Sequence, residues 1–215
     1  MRYEGAKRLR LLDIAVVPTF DELLALTKGC VAVAVDIPIG LSDSEPRAAD
    51  REARRLLGRP RMTSVFPAPV RATLAAKSYL EARDLSFRAC GRKLSQQTYN
   101  ILPKIREADR SMTPALQQRV VEAHPEVTFR ALNGGRAMAY RKKSRAGRQE
   151  RLAVLTKVFE DDTASLAPPS GAARDDLLDA CAVAWTAWRL AQGEAQRLPA
   201  RRDLDARGLR MEIVY

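Results

Sequence analysis

The chain has little of the chemistry that marks several common protein classes. It contains one histidine and three cysteines, Cys30, Cys90 and Cys181, which are too far apart for a metal-ligand motif and are interpreted as reduced thiols. No apolar run approaches the roughly 18–20 residues that span a bilayer. We therefore expect no membrane association and, most simply, a cytoplasmic protein. Patterns such as GxxxxGK[ST], GxGxxG, GxSxG and HExxH are absent as well, which argues against several enzyme classes.

Positive charge is what the chain has in excess. Lysine and arginine number 37 against 26 acidic residues, which gives a formal net charge of +11. Such an excess favours a polyanionic partner, with DNA or RNA as the first choice. The alternative is a solvated surface on which arginine merely replaces lysine and glutamine, so the charge supports a function without identifying one.

Apolar β-branched segments alternate with helical patterns along the chain. This alternation predicts an α/β layer fold, largely parallel at its centre, in a single domain over 1–215. The predicted strands are 8–17, 31–36, 120–123 and 211–215. Helices are expected at about 20–26, 47–57 and 172–192, the last apolar nearly all round and therefore buried, and the region 72–112 is expected to be mainly helical.

Acidic residues follow or interrupt these apolar segments at three places. Asp36 ends an apolar strand, where ligands bind in open α/β sheets, although a turn-capping role is the ordinary alternative. Asp176 and Asp179 are three residues apart and share one helix face, and Asp175 lies about 100° away from Asp176. For both Asp175 and Asp176, a favourable interaction with the helix dipole is a strong structural alternative. Glu126 begins a helix, where a structural role is as plausible as a catalytic one.

Carboxylates that converge repel one another unless a cation lies among them. Asp36, Asp176 and Asp179 are therefore predicted metal ligands for Mg²⁺ or Mn²⁺, with Glu126 as a further ligand or base. The only histidine, His124, is more plausibly structural.

Several basic residues are candidates for contacting phosphates. They are Lys104, Lys142 and Lys143, with Arg106 and Arg71 as candidate bidentate contacts, and each taken alone is more simply a solvated surface charge.

Several motifs together resemble one family. VDIPIGL, SVFPAPVR, NILPKIREAD, HPEVTF, DDLLDACAVAW and GLRMEIVY are similar to domain-of-unknown-function family 429, whose members are labelled predicted nucleases of ribonuclease H-like fold. The resemblance extends over about 20–215. It implies a ribonuclease H-like mixed sheet with flanking helices and a helical insertion at 44–112. It also implies a site with two metal ions, about 3.5–4 Å apart, in which Asp36, Asp176 and Asp179 match resolvase acids.

One departure from the family is expected to matter. Members of this family typically begin with a strand that carries Gly-Val-Asp-Gly and the first carboxylate, and that first strand is missing here. Its loss would leave buried strand edges unpaired. We expect either that the start codon lies further upstream or that this copy is inactive.

Three functions follow as hypotheses. The first is a metal-dependent nuclease, a hydrolase acting on ester bonds. The second is a nucleic-acid-binding protein without catalysis. The third, and the least supported because no glycine-rich phosphate loop is present, is a phosphotransferase acting on a small substrate. The choice between DNA and RNA, the selectivity of cleavage and the oligomeric state do not follow from the sequence.

Overall fold

The computed structural model describes residues 8–160, 163 and 165–215 of the chain, so part of the single domain expected over 1–215, including residues 1–7, lies outside the described residues. The described part is a mixed α/β structure with eight α-helices and two small sheets. The helices are α1 (Phe20–Leu26), α2 (Ala48–Leu57), α3 (Tyr79–Cys90), α4 (Gln96–Asn100), α5 (Leu102–Ser111), α6 (Pro125–Leu132), α7 (Arg145–Leu155) and α8 (Arg174–Ala191). The strands are β1 (Val33–Val35), β2 (Val120–Glu122), β3 (Arg197–Leu198) and β4 (Ile213–Val214).

The strands form one narrow layer. β1 and β2 pair in parallel, with Val33 opposite Val120, and β3 pairs with β4 in the antiparallel sense. A single parallel bridge between Ala123 and Val214 joins the two pairs in the order β1-β2-β4-β3. Every residue of β2 is buried, as expected for a strand with neighbours on both sides. The parallel centre that the sequence predicted is therefore present, although the strands are shorter than predicted.

Local sequence signals explain where several helices begin and end. Thr19, Ser78 and Ser144 each precede a helix and accept a hydrogen bond from a backbone N–H of its first turn. Gly91 follows α3 with a positive φ of 67°, a conformation that favours glycine. The predicted helices at 20–26 and 47–57 are confirmed to within one residue, and residues 44–112 contain α2 to α5.

Two predictions of secondary structure are wrong. The segment 8–17 is not a regular strand: within it, the structure assigns β-pairing to Leu9, in an isolated bridge to Phe159, and Leu12 projects into solvent. Helix α8 is buried on one face only, since Ala184 is exposed and Trp185 is half-buried. Alternating or continuous apolar character does not reveal whether a neighbouring element exists to cover it.

Packing around β1 and β2 brings the distant acidic motifs to one side of the molecule. Helix α8 packs against β1 and against α6, and α2 packs against α6 and β4. None of the helices in the described residues has the length and apolar character that crossing a bilayer requires.

Candidate active site

A cavity of about 740 Å³ opens beside the carboxyl ends of β1 and β2. We call it the central cavity. The charged and titratable groups on which the site depends are Asp36, His124, Glu126, Lys142, Lys143 and Asp179, and all six line it.

Three separate elements present the acidic residues. Asp36 directly follows β1, Glu126 lies in the first turn of α6 just after β2, and Asp179 lies in the second turn of α8, which packs on β1. Because β1 and β2 are parallel, their carboxyl ends meet at one edge, and the residues that follow them face the same space. The structure thus brings together three of the four acidic residues singled out in the sequence.

The carboxylates of Asp36 and Asp179 are poorly stabilised as charges. Asp36 is exposed at the cavity, but protein atoms around its carboxylate remove part of its hydration and raise its pKa against the opposing effects of His124 and Lys142. Burial likewise raises the pKa of Asp179 to about 6, and the negative charges of Asp36 and Glu126 add to that effect. Both carboxylates are therefore poorly solvated, and a further cation beside them would stabilise their ionised forms.

Lys142 is the basic residue that pairs with Asp179. Its ammonium group donates a hydrogen bond of 2.7 Å to Asp179 and lies 3.8 Å from Asp175. The pKa of Lys142 is raised, because its interactions with Asp179, Asp175 and Asp36 outweigh the effect of burial, which lowers it. The lysine therefore remains charged near neutral pH.

The two carboxylate oxygens of Glu126 differ in their hydrogen bonding. Arg151 donates to its Oε1 atom, and both side chains are buried. The Oε2 atom of Glu126 is buried and accepts no hydrogen bond from the described residues, and Nδ1 of His124 is in the same condition. Buried polar atoms without partners are uncommon and often mark a place where a ligand or ion binds.

A second group of charges fixes the backbone beside Asp36. Arg47 donates two hydrogen bonds of 2.7 Å to Glu122 and a third of 2.7 Å to Asp50. Glu122 also accepts a 2.7 Å bond from the backbone N–H of Ile39, in the turn that follows Asp36. These contacts hold the turn against the end of β2 and so fix the position of the backbone next to Asp36.

The structure places several predicted site residues elsewhere. Asp176 accepts a hydrogen bond of 2.9 Å from the backbone N–H of Ala173, which stabilises the start of α8, and it is not among the residues lining the central cavity. Lys104 pairs with Glu107 at 2.9 Å, and Arg106 donates to the carbonyl of Leu74 at 2.6 Å. These contacts are with the protein itself.

Sequence reasoning missed other residues at or beside the cavity. Asp175 does not line the cavity, but it shares Lys142 with Asp179, four positions later, and a spacing of four residues also places two side chains on one helix face. Arg61 and Phe66 line the cavity from the irregular segment between α2 and α3, and nothing in their local sequence predicts which way they point.

The oxygen ligands of the site suit a hard divalent cation, but Asp179 is paired with the ammonium group of Lys142. Carboxylate oxygens are the ligands that Mg²⁺ and Mn²⁺ prefer, and Asp36, Asp179 and the free oxygen of Glu126 supply them. Among residues 8–160, 163 and 165–215, however, no three such side chains lie close enough together to hold one ion as they stand. The carboxylates fit a cation in chemistry, but Asp179 is paired with Lys142.

Comparison with known proteins identifies the family. The model of the family described as "Protein of unknown function (DUF429)" matches residues 1–204. The chain therefore belongs to this family. Neither the curated proteins nor the solved structures contain a significant match to it.

Proposed function

We propose that this chain hydrolyses phosphodiester bonds of DNA or RNA in the central cavity, with Mg²⁺ or Mn²⁺ as cofactor and a ribonuclease H-like core as its fold. The observation that carries the proposal is the meeting of Asp36, Glu126 and Asp179, from three distant segments, at one cavity that also holds Lys142 and Lys143. Acids that need a cation and lysines that suit phosphate are the two requirements of such a site.

Asp36 and Asp179 are the residues that would hold the cation. The raised pKa values of both groups support this role, because a cation that binds near an underneutralised carboxylate relieves an existing electrostatic cost. When bound, a divalent cation supplies activation of water and neutralises charge on the phosphate. Asp176 has no part in this proposal, because its side chain holds the start of α8.

Lys142 and Glu126 have complementary roles. The ammonium of Lys142 would contact a phosphate oxygen of the substrate, and Lys143, which lines the same cavity, would contact another. Arg151 fixes Glu126 through Oε1, so that Oε2 is held ready to accept a proton from the attacking water.

Phe66 supports a nucleotide as the substrate unit. Its ring lines the central cavity and is 47% exposed, which leaves it accessible for stacking against a base. The volume of about 740 Å³ lies within the range of about 300–1,000 Å³ that small ligands occupy, so it suits one or two nucleotides better than a broad duplex.

A second candidate is a nucleic-acid-binding protein that does not cleave. The specific observation in its favour is that Asp179 already pairs with Lys142 and Glu126 with Arg151, so two of the three acids have a cation of their own. In that case, the acids serve to order the basic residues.

One experiment decides between these functions. Purified protein is incubated with labelled single-stranded and duplex DNA and RNA, with a small phosphodiester such as bis-p-nitrophenyl phosphate, and with Mg²⁺, Mn²⁺ or EDTA. The proposal expects cleavage that requires the cation and that Asp179→Asn abolishes, whereas the matched variant Asp176→Asn on the same helix keeps it. Binding without cleavage under all conditions selects the second candidate. Full activity in EDTA contradicts the metal-dependent mechanism.

A further inference from the structure

A second concave surface lies next to the central cavity and has a different charge. Its volume is about 520 Å³, and it is lined by four arginines: Arg51, Arg54 and Arg55 from α2, and Arg92 just after α3. We call it the arginine groove. Arg51, Arg55 and Arg92 are exposed, and Arg54 is partly exposed.

The positive charge of the arginine groove is uncompensated. In the part of the chain that the structure describes, no ion pair involves any of these four arginines. Arg51 donates to the carbonyl of Pro46 at 2.5 Å and Arg54 to the carbonyl of Val65 at 2.6 Å. Hydrogen bonds to neutral carbonyls orient a guanidinium group but leave its charge available to an anion.

The acidic residue in the groove does not cancel this charge. Asp50 also lines the groove, but its carboxylate is already occupied by Arg47, at 2.7 Å, and by the backbone N–H of Ala68, at 2.8 Å. Asp50 is buried, so it contributes to holding α2 in place and little to the surface potential of the groove.

The groove and the central cavity share one wall. The segment 60–67 presents Arg61 and Phe66 to the central cavity and Met62 and Pro67 to the arginine groove, and Asp50 borders both. A ligand that continues from one to the other therefore has to cross a short stretch of chain. An isolated small anion would occupy either one, but only an extended anion with repeated charges reaches both.

We propose that the arginine groove binds the phosphodiester backbone of the nucleic acid strand whose reacting bond lies in the central cavity. This inference rests on the proposed function, because it takes the same strand as ligand. Arginine is suited to the role, since its planar guanidinium contacts two phosphate oxygens at once. The contacts go to the backbone and carry no base information, so the groove increases affinity for DNA or RNA without selecting sequence.

The test measures binding apart from cleavage. The full chain is titrated, in EDTA, against a fluorescein-labelled single-stranded 20-mer of DNA and of RNA, and anisotropy is followed over a series of NaCl concentrations. The test variant is Arg51→Glu/Arg55→Glu. The control is Arg10→Glu/Lys28→Glu, which changes net charge equally at exposed positions outside both concave surfaces. A second test variant, Arg92→Glu, lies outside α2 and so does not depend on the stability of that helix; its control is the single variant Lys28→Glu, which changes net charge by the same amount at an exposed position.

The expected results follow from counterion release. The double test variant should bind at least about tenfold more weakly than the control, and the slope of log Kd against log salt should become shallower by roughly one to two, because each lost phosphate contact removes about 0.7–0.9. Arg92→Glu should weaken binding in the same direction. If each test variant binds with the same affinity as its control, the proposed role of the arginine groove is wrong. It is also wrong if the wild-type chain binds neither the DNA nor the RNA strand.

These outcomes are separable from those of the cleavage experiment. If the groove variants bind more weakly but the protein shows no metal-dependent cleavage, the proposed role of the arginine groove is supported and the catalytic proposal is rejected. Metal-dependent cleavage together with groove variants that bind like the control rejects the groove and keeps the catalytic proposal.

Discussion

Two groups of opposite charges border the central cavity, one built on an arginine and the other on a lysine. Arg47 is buried and donates hydrogen bonds to both Asp50 and Glu122, whereas Lys142 is 40% exposed and has one carboxylate within hydrogen-bond distance, that of Asp179. Both groups contain carboxylates in poorly hydrated surroundings. They differ in how completely the positive partner satisfies them.

In each group the pKa of an acid rises, so the difference lies in the contacts of the positive partner. Arg47 is buried and donates to two carboxylates, whereas Lys142 is partly solvated and donates to one. Burial alone would lower the pKa of Arg47, but Asp50 and Glu122 outweigh it and raise that pKa well above its usual range. Burial also raises the pKa of Glu122, while the charge of Arg47 opposes it. At Asp179 the help from Lys142 is too weak to offset burial and the charges of Asp36 and Glu126, and its pKa rises to about 6. A well-matched group holds the fold, and a poorly matched one is suited to receive a ligand.

The largest expected effect comes from removing the arginine. Arg47→Met leaves Asp50 and Glu122 buried without their cation, and we expect a loss of about 3–5 kcal/mol in the free energy of unfolding, measured by urea denaturation. Lys142→Met, the matched variant in the other group, should cost far less, because its ammonium is partly solvated. Equal losses in the two variants would show that the two groups do not differ as described.

Replacing the poorly solvated carboxylate of Asp179 should stabilise the protein. A pKa of about 6 in place of 3.8 means that ionised Asp179 disfavours folding, by on the order of 3 kcal/mol. Because the folded-state pKa is raised, this cost is absent below about pH 3.8 and complete above about pH 6. Asp179→Asn should therefore raise the free energy of unfolding by about 1–3 kcal/mol at pH 8 and leave it nearly unchanged at pH 3.5, as measured by urea denaturation. A destabilised variant at pH 8 contradicts this.

Removing Lys142 should strengthen the binding of a divalent cation. In Lys142→Met, the carboxylate of Asp179 no longer has its ammonium partner, so a divalent cation meets less competition there. We expect the Mn²⁺ affinity, measured by isothermal titration calorimetry at pH 7.5, to rise by about three- to tenfold, which corresponds to roughly 1 kcal/mol. Unchanged or weaker Mn²⁺ binding would place the cation, if it binds, away from Asp179.

The smallest effect should come from the neighbouring acid. Asp176→Asn weakens one hydrogen bond at the start of α8, and we expect a loss of about 0.5–1 kcal/mol in stability, measured by urea denaturation, with no change in Mn²⁺ affinity. A large loss of Mn²⁺ affinity would instead restore Asp176 to the metal site that the sequence pattern predicted.

Sequence reasoning located the segments of the site better than its individual contacts. Asp36 and Glu126 could be singled out because apolar strands end next to them, and parallel strands bring such ends together. On α8 the choice was harder. A spacing of three pairs Asp176 with Asp179 and a spacing of four pairs Asp175 with it, and only the packing of the helix decides which partner faces Lys142.

Elsewhere, contacts between residues far apart in the sequence could not be predicted. Arg47 meets Glu122 across 75 positions, and nothing near either residue indicates the other. For the same reason the segment 8–17 resembled a strand, because local pattern shows that a segment can pair but not that a partner lies beside it.

The most direct test of the account is a crystal of the protein soaked in MnCl₂ and measured near the manganese absorption edge. The account predicts an anomalous peak in the central cavity within bonding distance of carboxylate oxygens of Asp36 and Asp179, with the ammonium of Lys142 moved away. A soaked crystal in which Lys142 still pairs with Asp179 and no anomalous peak lies in the cavity would contradict it.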